Sequence, residues 1–186
     1  FANSTYECQL VLNDVAYGPI AEYTTTGGQT ITDATFENTS LSCWGTSNTN
    51  APFWGSGNNS YKKELCVLSS YAGQQGSHCA KLAASETLGM LASGNLFTGT
   101  FAMDGFAGTV SFGVDYPWAA RPTAIKLKIW HKIGDVTTTK YSSAIAKNSP
   151  DQASIYCSII NWDTQHQVTS GASEPTGVWS PENGIN

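Results

Sequence analysis

The chain has 186 residues and a net charge of −5, and draws only 12% of its residues from Asp, Glu, Lys and Arg, about half the usual share. Ser, Thr, Gly and Asn fill 71 positions and aromatics reach 11%, a mixture that suits short strands and polar turns, not long helices. Arg121 is the only arginine, and no apolar run approaches the ~18 residues of a membrane span, which argues against nucleic-acid binding and against a transmembrane helix.

Residues 1–30 read as an N-terminal segment or linker, with a strand or two around Cys8–Leu12 and a turn at Tyr17-Gly18-Pro19. A β domain is expected over 31–186. Two stretches near its start, Trp44–Asn50 and Phe53–Asn58, are dense in Gly, Asn and Ser and read as loops, yet each carries a tryptophan. Leu65–Leu68 and Ala80–Ala83 read as short strands, followed by alternating stretches at Gly94–Met103 and Gly108–Val114. The clearest alternation runs from Thr123 to Ile133. It sets Ile125, Leu127, Ile129, His131 and Ile133 against Lys126, Lys128, Trp130 and Lys132. Ala153–Trp162 alternates in the same way, and only Tyr141–Lys147 hints at a helical turn. The succession predicts an all-β chain, an antiparallel jelly-roll-like β-sandwich.

Five cysteines, Cys8, Cys43, Cys66, Cys79 and Cys157, cannot all pair within one chain. None has the tight spacing of a structural zinc site, and small buried hydrophobes are their plain reading. A bridge between Cys66 and Cys79 requires their two segments to lie as neighbouring strands.

The most specific stretch is Gly94-Asn95-Leu96-Phe97-Thr98-Gly99-Thr100-Phe101, followed by Arg121-Pro122-Thr123-Ala124 and Gly134-Asp135. Phe36-Glu37 and Trp44-Gly45 stand upstream. Ile155-Tyr156, Trp162 and Pro175-Thr176-Gly177-Val178-Trp179-Ser180-Pro181-Glu182 stand downstream. From about Thr35 to Glu182 this succession resembles the putative carbohydrate-metabolism domain (PCMD) family of Bacteroidota cell-envelope proteins. The resemblance implies a jelly roll shaped like a carbohydrate-binding module, in a secreted or lipid-anchored protein serving glycan use. It supplies no catalytic residues. Family members continue past the Trp-Ser-Pro-Glu region, so the sandwich over 31–186 is expected to lack its last strands and to be completed by a second chain or fragment.

Sugar recognition sets aromatic faces against pyranose C–H surfaces, with amides bonding the hydroxyls. Trp44, Asn48, Trp54, Asn58 and Trp130 are the candidates, because the first four stand in polar loops and Trp130 points away from the isoleucine face. Trp118 is a further candidate ring; Trp162 and Trp179 read as packing residues. Glycoside hydrolysis needs paired carboxyls, whereas the 14 acids are scattered singly. Asp104, Asp115 and Asp163 read as turn residues. Glu37, in an apolar strand context, is the first choice of ligand should the module hold Ca²⁺. His131, on the isoleucine face, reads as a core histidine. The glycine-rich Gly94–Gly99 stretch enters a strand and lacks the Lys-Ser/Thr ending of a phosphate loop.

The expectation is a non-catalytic, extracytoplasmic module that binds a glycan. The alternatives are a structural or interaction subunit of a cell-surface complex and, more weakly, a glycoside hydrolase.

Overall fold

A computed structural model of the chain describes residues 4–25, 31–50, 53–87, 90–116, 122, 124–139, 146–161, 163–171 and 176–177. Their strands are β1 (Thr5–Leu12), β2 (Val15–Thr24), β3 (Trp54–Gly55), β4 (Cys66–Ser69), β5 (Cys79–Leu82), β6 (Ser85–Thr87), β7 (Met90–Ala92), β8 (Phe97–Asp104), β9 (Ala107–Phe112) and β10 (His166–Ser170). Among the described residues every strand pair is antiparallel, and the only helical element is a 3-10 turn at Ser42–Trp44. The all-β, antiparallel expectation holds. The chain divides into two compact units, Phe1–Thr32 with Tyr116–Leu127, and Asp33–Asp115 with Lys128–Asn186.

In the first unit β1 and β2 form a hairpin. Its turn is Asn13-Asp14, between the paired Leu12 and Val15, and both turn residues have positive φ, 51° and 63°. Asn and Asp tolerate that conformation, which matches the right-handed twist of the flanking strands. Tyr17-Gly18-Pro19, expected as the turn, instead lies inside β2 at a register irregularity, where the Gln9 side chain donates to the Gly18 carbonyl at 2.8 Å. Both faces of the hairpin are exposed.

The second unit is built on a four-stranded sheet in the order β10-β9-β8-β3, with the pairs β4-β5 and β6-β7 as separate ribbons. β8 and β9 are joined by the two-residue turn Gly105-Phe106. Phe97 and Phe112 pack edge to face across the sheet with centroids 5.4 Å apart, and the hydroxyls of Thr109 and Thr169 meet at 2.8 Å between β9 and β10. The family-like stretch thus becomes the centre of the sheet. Asn95 accepts from the Gly57 N–H at 2.6 Å and donates to the Ser93 carbonyl at 3.1 Å.

The two clearest alternations do not become strands. Residues 124–133 and 151–161 lie outside any strand, with Ile129 63% and Ile155 60% exposed. At their base the Val136 N–H donates to the Ser149 carbonyl at 2.8 Å and the Asp151 N–H to that of Gly134 at 3.0 Å. Alternation records two unlike faces of an extended chain; it does not supply the neighbour that makes it a strand. His131 is accordingly exposed, not a core residue. Thr123, Trp162 and most of Tyr141–Lys147 lie outside the described residues.

Cys66 and Cys79 do lie on neighbouring strands, β4 and β5, but Cys66 faces Leu82 while Cys79 faces Ser69. Three strand positions are about 10 Å, beyond the roughly 7 Å Cα separation a disulfide tolerates, so the register excludes that bridge.

Candidate functional site

Asn48 and the run Gly55–Asn59, which the sequence suggests are loop residues, are among the best-buried of the described residues. Asn48, Ser56, Asn58 and Asn59 are buried together with Cys43, Leu65 and Cys66. A loop can pass through a protein interior only if its peptide groups find partners, and here asparagine amides supply them. Asn48 accepts from the Ser56 N–H at 3.2 Å and donates to the Gly45 carbonyl at 3.2 Å. Ser56 Oγ donates to the Cys43 carbonyl at 2.7 Å. Asn58 donates to the carbonyls of Cys43 and Cys66 at 3.1 and 2.6 Å and accepts from the Cys66 N–H at 3.0 Å. Asn59 Oδ1 accepts from the N–H groups of Tyr61 and Lys62. Asn48 and Asn58, singled out as sugar-bonding amides, are 1% and 0% exposed. In this conformation they hold the loops in shape and present nothing to a ligand.

That scaffold gathers rings. Trp44 leaves the 3-10 turn and Trp54 opens β3, and both meet Phe36, at centroid distances of 6.0 and 5.6 Å. Phe53 adds an edge contact to Trp54 at 5.2 Å. Phe36 reaches between the two tryptophans from a left-handed backbone, φ +58°. The Trp44 indole N–H donates to the Asn38 carbonyl at 3.0 Å. The two loop tryptophans, far from obvious neighbours in sequence, therefore belong to one half-buried cluster.

Beside Phe36 stands Glu37, in a loop and exposed, not in an apolar strand. Its Oε1 accepts from the N–H groups of Ser77 and His78 at 2.9 and 3.1 Å, and its Oε2 lies 3.1 Å from His78 Nδ1. The carboxylate thereby clamps the 31–40 loop to the turn between β4 and β5. The His78 backbone N–H, then its ring, then the Ser77 N–H favour the ionised form, and hold the Glu37 pKa below its ordinary 4.5. Among the described residues no group of three or more His, Cys, Asp or Glu side chains is placed to share a metal ion.

The sign of the pH effect follows. A carboxyl whose pKa is lowered in the folded state contributes fully above its ordinary pKa, and the contribution fades as pH falls through the lowered value. Acidification below pH 4.5 should therefore shift the Ser77 and His78 amide resonances together, and Glu37→Gln should flatten both titrations. An inflection at or above 4.5, or one unchanged in the variant, would show that the clamp does not form.

The same turn carries a second aromatic feature at its other end. Tyr71 lies against Trp130, with centroids 4.6 Å apart and planes at 33°. Unlike the Phe36 cluster this pair is open to solvent, Trp130 being 61% and Tyr71 46% exposed. The Tyr71 backbone N–H is bonded to the side chain of Gln74, which also donates to the Gly76 carbonyl at 3.3 Å, fixing the turn. Sequence alternation marked Trp130 as outward-facing, but nothing in the pattern pointed to Tyr71 as its partner. Trp118 and Trp162 lie outside the described residues.

An exposed ring pair, one ring of which is set on a hydrogen-bonded turn, is suited to binding a molecule with an apolar face. Comparison with known proteins adds one positive finding. A family model described as putative carbohydrate metabolism domain matches residues 21–178. No curated protein and no solved structure matches the chain.

Proposed function

From the premise that the chain belongs to the putative carbohydrate metabolism domain family, we propose that it is a non-catalytic, extracytoplasmic carbohydrate-binding module. Its ligand stacks on the Tyr71–Trp130 pair. The observation that carries this reading is the exposure of two stacked rings held by a fixed turn. Pyranose C–H faces cover such rings and remove them from water. Lys128 and Lys132 alternate in sequence with Trp130, and Glu37 and His78 close the turn that carries Tyr71; these are groups able to bond sugar hydroxyls. Trp44 and Trp54 support the loops behind Phe36. A glycosidase needs a carboxylic acid that holds its proton beside an ionised carboxylate, and Glu37, held ionised, supplies at most the second. In this proposal the module works at the cell surface or in the periplasm.

Calorimetry with ligands chosen from a glycan array tests the reading. Trp130→Ala should weaken binding by about tenfold or more, ~1.4 kcal/mol, and Trp130→Phe should retain most of it. The reading fails if no saccharide binds, or if Trp130→Ala binds as the wild type does.

One observation favours a second reading, an interaction subunit of a larger assembly. Leu10, Val11, Leu12, Tyr17 and Tyr23 on the β1–β2 hairpin are each more than half exposed, as protein-contact surfaces are. A stoichiometric protein partner in native mass spectrometry, without sugar affinity, would decide for it.

A further inference from the structure

We infer that Cys43 and Cys66 are a disulfide pair, formed when the chain folds in contact with a disulfide oxidant, and that the bond joins the 3-10 turn to β4. Cys43 lies in the middle of Ser42–Trp44, and Cys66 is the first residue of β4. One side-chain nitrogen, Nδ2 of Asn58, donates to both of their carbonyl oxygens, at 3.1 and 2.6 Å, which brings the two backbones side by side. Both residues are 0% exposed, and their sulfurs meet side chain to side chain. The other three cysteines do not share this arrangement. Cys8 and Cys157 are exposed, and Cys79 stands opposite Ser69.

The geometry also sets when the bond forms. In the folded chain no oxidant reaches a thiol sealed from solvent. The hydrogen bond to the Cys43 sulfur, and then burial, raise the Cys66 pKa far above its ordinary value and keep that thiol protonated. Exchange therefore belongs to folding, before Ser56 and Asn58 close against the pair. One cysteine thiolate attacks the oxidant's disulfide, forming a mixed disulfide and releasing the oxidant's first thiol. The second thiolate then attacks the protein sulfur of that mixed disulfide, forming the Cys43–Cys66 bond and releasing the second thiol. Two electrons and two protons pass to the oxidant, which leaves as two thiols.

The test is refolding of the full chain from denaturant with oxidised and reduced glutathione, then denaturation, alkylation of free thiols and peptide mapping by mass spectrometry without reductant. The expected map contains a single linked peptide pair, Cys43 with Cys66, two hydrogens lighter than the sum of its thiol forms. Cys8, Cys79 and Cys157 should be alkylated. Reductant should lower the urea midpoint of the wild type and leave that of Cys43→Ala/Cys66→Ala unchanged. Alkylation of all five cysteines, or a link from Cys43 or Cys66 to any other cysteine, overturns the inference. The map is made on the wild type, so it decides even if the double variant does not fold.

Discussion

Replacing Asn58 by leucine is expected to lower the unfolding free energy by about 3–5 kcal/mol, measured as a loss of urea midpoint by circular dichroism. Leucine is similar in size, so the cost comes from stranded polar groups, not from a cavity. Asn58 pairs with both the N–H and the carbonyl of Cys66, as a peptide group on an adjacent strand would. Its amide completes the edge of β4 on the side away from β5. Without it, that N–H and that carbonyl remain buried and unpartnered, at about 1–3 kcal/mol each. The Cys43 carbonyl is less affected, because Ser56 Oγ also donates to it at 2.7 Å. The same change at exposed Asn161 should cost less than about 0.5 kcal/mol. A loss below about 1 kcal/mol at Asn58 would mean that the buried loops do not depend on this amide.

Gly99→Val is expected to be comparably severe, about 4 kcal/mol or more, with loss of amide-resonance dispersion from β8 and β9. Gly99 is buried in the middle of β8, with φ +126°, a backbone conformation that side chains disfavour. Space is lacking as well. A Cβ there would meet the Ser111 carbonyl oxygen and approach the Gly113 nitrogen at 3.2 Å, and both are backbone atoms of the neighbouring strand that cannot swing away. Gly105 separates the two causes. It shares a positive φ of 58°, but nothing lies within 4 Å of its would-be Cβ. Gly105→Ala should therefore cost only the roughly 1–2 kcal/mol of the left-handed backbone. Equal losses at the two sites would show that the contact with β9 contributes nothing.

The two glycines also show how far sequence reading reached. The stretch containing Gly99 stood out as specific, and alternation correctly marked it as strand. Why glycine must stand there became visible only when Ser111 and Gly113 lay beside it. Alternation singles out Trp130 in the sequence, yet its partner Tyr71 is 59 positions away, and no local pattern links them. Glu37 stands in an exposed loop and not in the apolar strand that the sequence suggests, because its partners, Ser77 and His78, lie some 40 positions away.

Composition and period-two alternation were enough to determine the class of this protein. Short polar residues and rings favour strands and turns, and four of the expected strands, β4, β5, β8 and β9, lie within three residues of the expected bounds. Those preferences belong to each residue and its near neighbours, so the chain states them directly. Which surfaces are inside was decided only by the tertiary structure. Asn48, Asn58 and Asn59 are buried because peptide groups elsewhere in the chain satisfy their amides, while the strongly alternating 124–133 and 151–161 are largely exposed and pair with no strand. Burial is a property of pairs far apart in sequence, and hydrophobicity predicts it only where the polar groups have no partners.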